Sequence, residues 1–271
     1  MPTAKINIPE MVKPKKRLVG KPIKTNVLIE AEYYSKLRYM VDQIKERFMT
    51  AVNELYSTDK IVEQIHDESY QGKMNRLISE FSKKIKIQFD HKRMLLLVKS
   101  MVQKTDKNQK YRFIKNYGFG IDISKVPDFQ NYVPFINEAI KRNLTLVKNL
   151  RNETMVKLET VLRTQTAQGH SISYVTEQIM STGQHTKKRA ALIARNEIKN
   201  ITGQLTKKRM QNVGFEKAMW LTSEDDRVRP DHKKHDRKIY TIGVGLKDSD
   251  GNYEEPMDKI NCRCVALPVI E

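Results

Sequence analysis

Apolar side chains recur every three or four positions through long parts of this chain, and this spacing predicts amphipathic helices. The first stripe runs from Tyr33 to Leu55, and the second is strongest from Tyr70 to Ile85. A third stripe over residues 133–164 repeats the pattern. The N-terminal and central parts of the chain are therefore predicted to be mainly helical.

Capping residues and glycines predict two further helices. Gly169 ends the third stripe, and Ser173 can cap a short helix that Gly183 stops. Thr186 can cap a longer helix that ends before Gly214.

The pattern then changes to short segments rich in β-branched and aromatic residues at 218–221, 238–242 and 265–267. Such segments favour strands. The sequence predicts an α+β fold with a mostly helical N-terminal region, followed by a small α+β domain with short C-terminal strands.

Proline, glycine and charge divide the chain into four predicted segments. Residues 1–24 combine seven Lys or Arg with four prolines, which indicates an extended basic arm. Residues 25–104 form a helical region, and 105–134 read as a Gly/Pro/aromatic connection. Residues 135–271 form the C-terminal domain.

The net charge of +18 lies outside the C-terminal fifty residues, where nine Lys or Arg face eleven Asp or Glu. A positive field of this size favours polyanions, and non-specific double-stranded DNA is the partner we expect. The chain has no apolar run long enough for a membrane span and no apolar signal core near its start, so neither a membrane location nor secretion is expected.

Three clusters of basic residues are the predicted nucleic-acid contacts, one in the arm and two near opposite ends of one predicted helix. They are Lys13, Lys15, Lys16 and Arg17; Lys187, Lys188 and Arg189; and Lys207, Lys208 and Arg209. The two helical triplets are separated by about 30 Å along a helix axis, which suits two contacts with a DNA backbone. Alternatively, the lysines only solvate the helices.

Both cysteines of the chain lie close to its end, at Cys262 and Cys264. In an extended strand their thiols point to one face with Cα atoms roughly 6.6 Å apart, which disfavours a disulfide. With the imidazoles of His232 and His235 they would offer a soft tetrahedral site for zinc. In the alternative interpretation, the cysteines are small buried apolar groups and the histidines are exposed among basic residues.

Acidic residues near those histidines raise a second chemical hypothesis. Asp225, Asp226, Asp231 and Asp236 are the carboxylates that a metal-dependent nuclease would need beside His232. Interleaved Arg and Lys residues favour local ion pairs instead. An Asp-Ser-Asp-Gly-Asn run at 248–252 lacks the full calcium-loop spacing, so it predicts a hairpin turn with Gly251 at positive φ.

The C-terminal motifs carry a family resemblance. A helix bearing Ala194-Arg195-Asn196-Glu197 precedes Trp220, the run Asp226-Arg227-Val228-Arg229-Pro230-x-His232 and the closing Asn261-Cys262-Arg263-Cys264. In this order the chain resembles the phage head-morphogenesis (Mu F-like) minor head proteins over roughly residues 161–267. The resemblance implies structural roles for Arg195, Glu197, Trp220 and Asp226, with Arg195 and Glu197 each pairing with the final strands. In the alternative, Arg195 and Glu197 are only solvated at the surface.

The chain departs from the family pattern at two places. Many relatives carry a Cys-x-x-Cys near the position of His232, and a histidine where this chain has Lys259. Because these ligands are missing, we expect no cofactor and no stoichiometric metal, with zinc as the alternative.

The resemblance implies a structural minor head protein of a tailed phage, not an enzyme. Its expected partners are the portal protein and the major capsid or scaffolding protein. Its expected location is the virion, in the capsid interior or at the portal vertex, and the host cytoplasm during assembly. The alternative function is a metal-dependent nuclease or toxin-like effector that uses His232 and the nearby aspartates.

Overall fold

A computed structural model describes residues 7–12, 18–58, 68–117 and 132–270 of the chain. The described helices are α1 Ile8–Val12, α2 Val27–Thr58, α3 Glu68–Gln88, α4 His91–Tyr117, α5 Val133–Ala167, α6 Ile172–Asn212 and α7 Pro230–His235. The described strands are β1 Leu18–Val19, β2 Lys217–Leu221, β3 Ile239–Thr241, β4 Leu246–Lys247, β5 Tyr253–Glu254 and β6 Val265–Ile270. Long helices followed by short strands confirm the α+β prediction.

The chain divides into two compact units, which are described separately. The first comprises residues 1–30, 100–139 and 195–271 and contains the strands. Its antiparallel sheet has the order β1-β6-β2-β3, so β6 is paired on both sides. Strands β4 and β5 form a separate two-stranded hairpin.

The core of the first unit lies around Trp220, which is fully buried. Tyr117 at the end of α4 joins this core and donates a hydrogen bond from its hydroxyl to the carbonyl of Ala266 in β6, at 3.0 Å. Both cysteines belong to the same cluster. The core therefore joins the end of α4, the sheet and the loop that carries the thiols.

The N-terminal segment is part of this unit, and its interpretation as an extended arm is wrong for the residues that the structure describes. Ile8 in α1 and Ile23 are buried in the core. Strand β1 pairs with β6, with Leu18 opposite Ile270. Prolines and lysines dominate the sequence of this segment. The few apolar residues between them nevertheless pair with the edge of the sheet or pack into the core.

The second unit comprises residues 31–99 and 140–194 and is built from helical segments. The buried stripe of α2 includes Leu37, Ile44 and Phe48, in agreement with the predicted helical period. Phe48 packs edge-to-face on Phe81 of α3 with ring centroids 4.9 Å apart. Such aromatic contacts and aliphatic packing hold the helices of this unit together.

Two predicted boundaries differ from the structure. Helix α4 continues to Tyr117, so residues 105–117 are helical and are not part of a connection; residues 118–131 lie outside the described part. Helix α6 runs without interruption through Gly183. A glycine within a helix costs only about 1 kcal/mol, which buried neighbours such as Ile179 and Ala190 offset.

Other boundary signals were correct. Gly169 and Gly214, with φ of 71° and 87°, follow the ends of α5 and α6. Gly251, with φ of 83°, lies in the turn between β4 and β5, as predicted. Among the described helices, none is both long enough and apolar enough to cross a membrane.

Candidate metal centre and its surroundings

Helix α7 holds two histidines against the tryptophan of the core. Pro230 occupies the first turn of this six-residue helix, and His232 and His235 are three positions apart, on one face. Their rings lie 5.2 and 5.0 Å from the ring of Trp220, between centroids. Both are buried, so the alternative that placed these histidines in solvent is wrong.

The loop before β6 brings the two thiols beneath this helix. Met257 and Asn261 adopt positive φ values of 73° and 62°, which turn the backbone sharply on either side of Ile260. The amide of Met257 donates to Sγ of Cys262 at 3.4 Å, and the amide of Cys262 donates to the carbonyl of Lys259 at 3.0 Å. These bonds fix the position of the first thiol.

His232 and the two cysteines form one buried cluster. The Nδ1 atom of His232 lies 3.6 Å from Sγ of Cys262 and 3.4 Å from Sγ of Cys264. The three donor atoms all lie within 4.8 Å of one another. In the described part of the chain this is the group of His, Cys, Asp and Glu side chains whose spacing suits a metal ion. The cysteines are free thiols, in agreement with the prediction that they form no disulfide.

Glu254 is a site residue that sequence reasoning missed. Its carboxylate is buried, with Oε1 3.2 Å from Nε2 of His232 and 3.6 Å from Nε2 of His235. Lys259 approaches Oε2 at 2.7 Å. A single glutamate on a short hairpin strand carries no pattern in the sequence that would have distinguished it from its neighbour Glu255.

The predicted fourth ligand is not part of the cluster. Nε2 of His235 lies 3.6 Å from Oε1 of Glu254, and His235 does not belong to the group of converging donors. Burial lowers the pKa of His235 below its ordinary value. The pKa of His232 is raised because Cys262 accepts its hydrogen bond. The two histidines on one helical face therefore have different environments.

Each thiol shifts the pKa of the other. A hydrogen bond from Cys264 lowers the pKa of Cys262 below its ordinary value, and His232 contributes in the same direction. The pKa of Cys264 is raised, because the neighbouring Cys262 and burial both disfavour a second negative charge. Without a cation the cluster therefore favours one thiolate, and a bound cation would favour two.

The acidic residues near the histidines do not converge on an ion. Asp225 forms an ion pair with Arg263, and Asp236 accepts hydrogen bonds from the amide and hydroxyl of Thr222 at 2.8 Å. Asp231 accepts from the hydroxyl of Ser249 at 2.7 Å. Interleaved basic residues also approach these acids, as the predicted local ion pairs require: Arg227 lies 3.5 Å from Asp225, Lys234 3.4 Å from Asp231 and Arg237 3.5 Å from Asp236.

The residues assigned structural roles have mixed outcomes. Trp220 is the centre of the core. Asp226 is exposed, and its neighbour Asp225 makes the contact with Arg263. Arg195 lies 3.5 Å from Glu30 and not against the final strands, so its predicted pairing is wrong. The predicted partner of Glu197 stays a prediction.

Asn196, between those two residues, contacts the loop that precedes the final strand. Its side-chain oxygen accepts a hydrogen bond from the amide of Asn261 at 3.1 Å. Helix α6 is thereby joined to the cysteine loop within the first unit.

Arg209 is not available for DNA. Its side chain is 1% exposed, bonds to Asp106 at 2.5 Å and stacks over the ring of Tyr132 at 5.0 Å. Lys207 forms an ion pair with Glu255, and the ammonium of Lys208 lies over the ring of Phe135 at 5.7 Å. Charge count alone could not separate these packed side chains from solvated ones.

The other basic clusters remain candidates. Lys188 is exposed, while Lys187 lies 2.9 Å from Asp42 and Arg189 lies 3.9 Å from Glu153. The residues of the basic arm, Lys13, Lys15, Lys16 and Arg17, lie outside the described residues.

Comparison with known proteins relates the C-terminal part of the chain to one described family. Residues 146–267 match the family described as "Phage Mu protein F like protein". The chain is also 31% identical over 153 residues to a Haemophilus influenzae protein (strain ATCC 51907 / DSM 11121 / KW20 / Rd) named "Uncharacterized protein". That match covers 56% of this chain and 33% of the relative, so the chain spans about a third of the relative's length. No solved structure gives a significant match.

Proposed function

We propose that this chain, whose residues 146–267 carry a domain of the phage Mu protein F-like family, is a minor head protein that acts in head morphogenesis of a tailed phage. The observation that carries the proposal is the family match over the region that folds around Trp220 and the closing Asn-Cys-Arg-Cys motif. The proposed location is the virion, at the portal vertex or on the inner face of the capsid.

Helical surfaces of the second unit support a role in assembly. A cleft of about 510 Å³ in this unit is lined by residues that include Tyr39, Met40 and Met94. Tyr39 is 61% exposed at this cleft. Exposed aromatic side chains beside apolar clefts are typical of protein interfaces. We propose that the portal or a capsid subunit covers this surface.

Co-assembly tests this proposal. The chain is expressed with the portal, scaffolding and major capsid proteins of the same genome, and the particles are separated by sedimentation. We expect the chain to sediment with portal-containing particles. Tyr39→Glu should reduce its incorporation, whereas Val156→Glu, which alters an equally exposed residue away from the cleft, should not. Equal loss in both variants would place the interface elsewhere.

We also propose that the positive charge of residues 1–221 contacts packaged double-stranded DNA without sequence specificity. Binding to phosphates releases counterions, so the logarithm of affinity should fall with the logarithm of salt by about 0.9 per contact. Changing Lys13, Lys15, Lys16, Arg17 and Lys188 to glutamine should flatten this slope. The matched control changes five basic residues of the acidic C-terminal part: Lys233, Lys234, Arg237, Lys238 and Lys247. If the two variants have the same slope, the proposed footprint is wrong.

The nuclease alternative has less support in the geometry. Asp225, Asp231 and Asp236 have protein partners, and the buried donors near His232 are thiols, which suit soft metals and not the hard ions of metal-dependent nucleases. Incubation of the purified chain with supercoiled DNA and Mg²⁺ or Mn²⁺ should leave the DNA intact. Cleavage that is lost in His232→Gln would support the alternative.

A further inference from the structure

The buried cluster of His232, Cys262 and Cys264 has the dimensions of a metal site. With metal–sulfur and metal–nitrogen bonds of about 2.3 and 2.0 Å, a tetrahedral zinc ion holds an N and an S ligand about 3.5 Å apart. The two distances from Nδ1 to the sulfurs are 3.4 and 3.6 Å, and all three donor atoms lie within 4.8 Å of one another. The imidazole nitrogen therefore already stands at the separation from each sulfur that one shared ion requires.

The groups around the cluster provide the second layer of contacts that metal ligands commonly have. When Nδ1 faces the ion, the ring proton of His232 resides on Nε2, which lies 3.2 Å from the carboxylate of Glu254. A carboxylate at this position fixes the ring and its tautomer. The amide of Met257 donates to Sγ of Cys262, which stabilises a thiolate. Neither contact is needed if the cysteines serve only as apolar filling.

Two buried polar atoms at the site face each other outside normal hydrogen-bond geometry. Nε2 of His232 and Oε1 of Glu254 lie 3.2 Å apart in this way, whereas Oε2 of Glu254 has the ammonium of Lys259 at 2.7 Å. Burying such groups costs free energy unless an electrostatic partner compensates. A divalent cation beside His232 would polarise the ring and strengthen its interaction with Glu254.

We propose that His232, Cys262 and Cys264 bind a zinc ion through Nδ1 and two thiolates, and that the ion holds helix α7 to the start of strand β6. Two thiolates neutralise the charge of a divalent ion, and this soft donor set suits zinc. Solvent or a small ligand would occupy the fourth coordination position of the ion. A cleft of about 70 Å³ is lined in part by Cys262. This geometry replaces the expectation from sequence of no stoichiometric metal, and it does not depend on the role in head assembly.

The matched control is already present on the same helix. His235 is buried like His232 and contacts the same glutamate, but it does not belong to the converging donors. A change at His235 therefore perturbs the packing against Trp220 without removing a ligand. Loss of metal from His232→Gln but not from His235→Gln would separate coordination from packing.

Elemental analysis of the full chain tests the proposal. The protein is expressed with zinc in the medium, freed of loose metal by gel filtration and analysed for metal per chain. We expect close to one zinc in the wild type and in His235→Gln, and a large loss in His232→Gln, Cys262→Ser and Cys264→Ser. A wild-type protein without stoichiometric metal, under conditions in which it is folded, would overturn the proposal.

A second measurement uses only the wild-type chain, because a cysteine variant that fails to fold would lose metal for another reason. An organomercurial is titrated into the native protein while a chromogenic chelator reports released zinc. We expect release in proportion to modification of the two thiols. Replacement of zinc by cobalt should give thiolate-to-cobalt charge-transfer absorption. Zinc retained after both thiols are blocked, or cobalt bound without that absorption, would contradict ligation by Cys262 and Cys264.

Discussion

At the scale of single residues, the carboxylate of Glu254, which contacts the proposed zinc ligand His232, can be tested separately from the ligands themselves. Glu254→Gln keeps the size of the side chain but removes the charge that faces Nε2 of His232. Loss of such a partner typically weakens metal binding by roughly 10- to 100-fold. Competition with a chelator of known affinity measures this change. An unchanged affinity would mean that Glu254 serves only its contacts with His235 and Lys259.

Asp225 and Arg263 join the Asp-Asp-Arg run to the Cys-Arg-Cys motif. The hydrogen bond from Arg263 lowers the pKa of Asp225, so folding favours the ionised carboxylate. The sign follows from linkage: this stabilisation is present above the ordinary aspartate pKa and is lost as pH falls through the lowered folded value. Asp225→Asn should therefore lower the melting temperature at neutral pH, and the difference from wild type should shrink in acid. A difference that does not vary with pH would contradict the ion pair.

Arg209 should affect stability and not DNA binding. Removing one partner of a buried pair leaves an uncompensated charge and costs about 3 to 5 kcal/mol, although the partial exposure of Asp106 reduces this figure. Arg209→Gln should lower the free energy of unfolding by about 2 kcal/mol or more, measured by chemical denaturation. Lys188→Gln, on the exposed face of the same helix, should change it by less than about 0.5 kcal/mol.

At the scale of elements, the approach of helix α6 to the cysteine loop depends on Gly203. A Cβ atom at this position would lie 2.8 Å from the Cβ of Met257, whose amide bonds to the thiol of Cys262. Gly203→Ala should therefore destabilise the protein by about 1 to 3 kcal/mol, despite the better helix propensity of alanine. It should also weaken metal binding, because the loop must shift.

Gly72 is the matched control for this prediction. It lies within helix α3, and a Cβ added there meets no atom within 4 Å. Gly72→Ala should stabilise the protein by roughly 0.5 to 1 kcal/mol. Thermal unfolding of both variants tests the contrast, and the same sign of change in both would show that close packing at Gly203 has been overestimated.

Elements were predictable from the sequence where periodicity and caps agree. The stripe from Tyr33 to Leu55, the strands near Trp220 and the turn at Gly251 were all correct. Errors arose where composition opposed tertiary contacts: α4 continues through residues 105–117, and Gly183 does not end a helix. Local propensity carries no information about the partner that a segment finds across the chain.

The candidate site was predictable in part for the same reason. Spacing placed the two cysteines on one face and brought the histidines together, which identified three of the donors. It could not show that His235 lies outside the group of converging donors, or that Glu254, on a hairpin strand, contacts both histidines. Likewise, the burial of Arg209 depends on Asp106, which lies 103 residues earlier.

At the scale of the whole molecule, the N-terminal segment completes the C-terminal sheet. Ile8 and Ile23 are buried, and the amide of Gly20 donates to the carbonyl of Pro268 at 3.0 Å. Deleting residues 1–24 should therefore expose the edge of β6 and destabilise the first unit by several kcal/mol, since two large aliphatic side chains alone contribute about 3 to 6 kcal/mol. Hydrogen exchange should show loss of protection in β6.

The control for this deletion keeps the segment and removes its charge, with glutamine at Lys13, Lys15, Lys16 and Arg17. It should fold like the wild type. If the deleted protein kept the wild-type melting temperature, the segment would be an arm and not part of the fold. For this reason the charge variant, and not the deletion, is the appropriate probe of DNA binding.

The most direct test of the central claim is the protein content of purified heads. Particles assembled from the genome that encodes this chain are purified, and the chain is quantified by mass spectrometry relative to the portal protein. A minor head protein should be present at a few copies per particle, comparable with the portal and far below the major capsid protein, and should remain after washing with high salt. Heads of normal yield and composition that lack the chain would contradict the account.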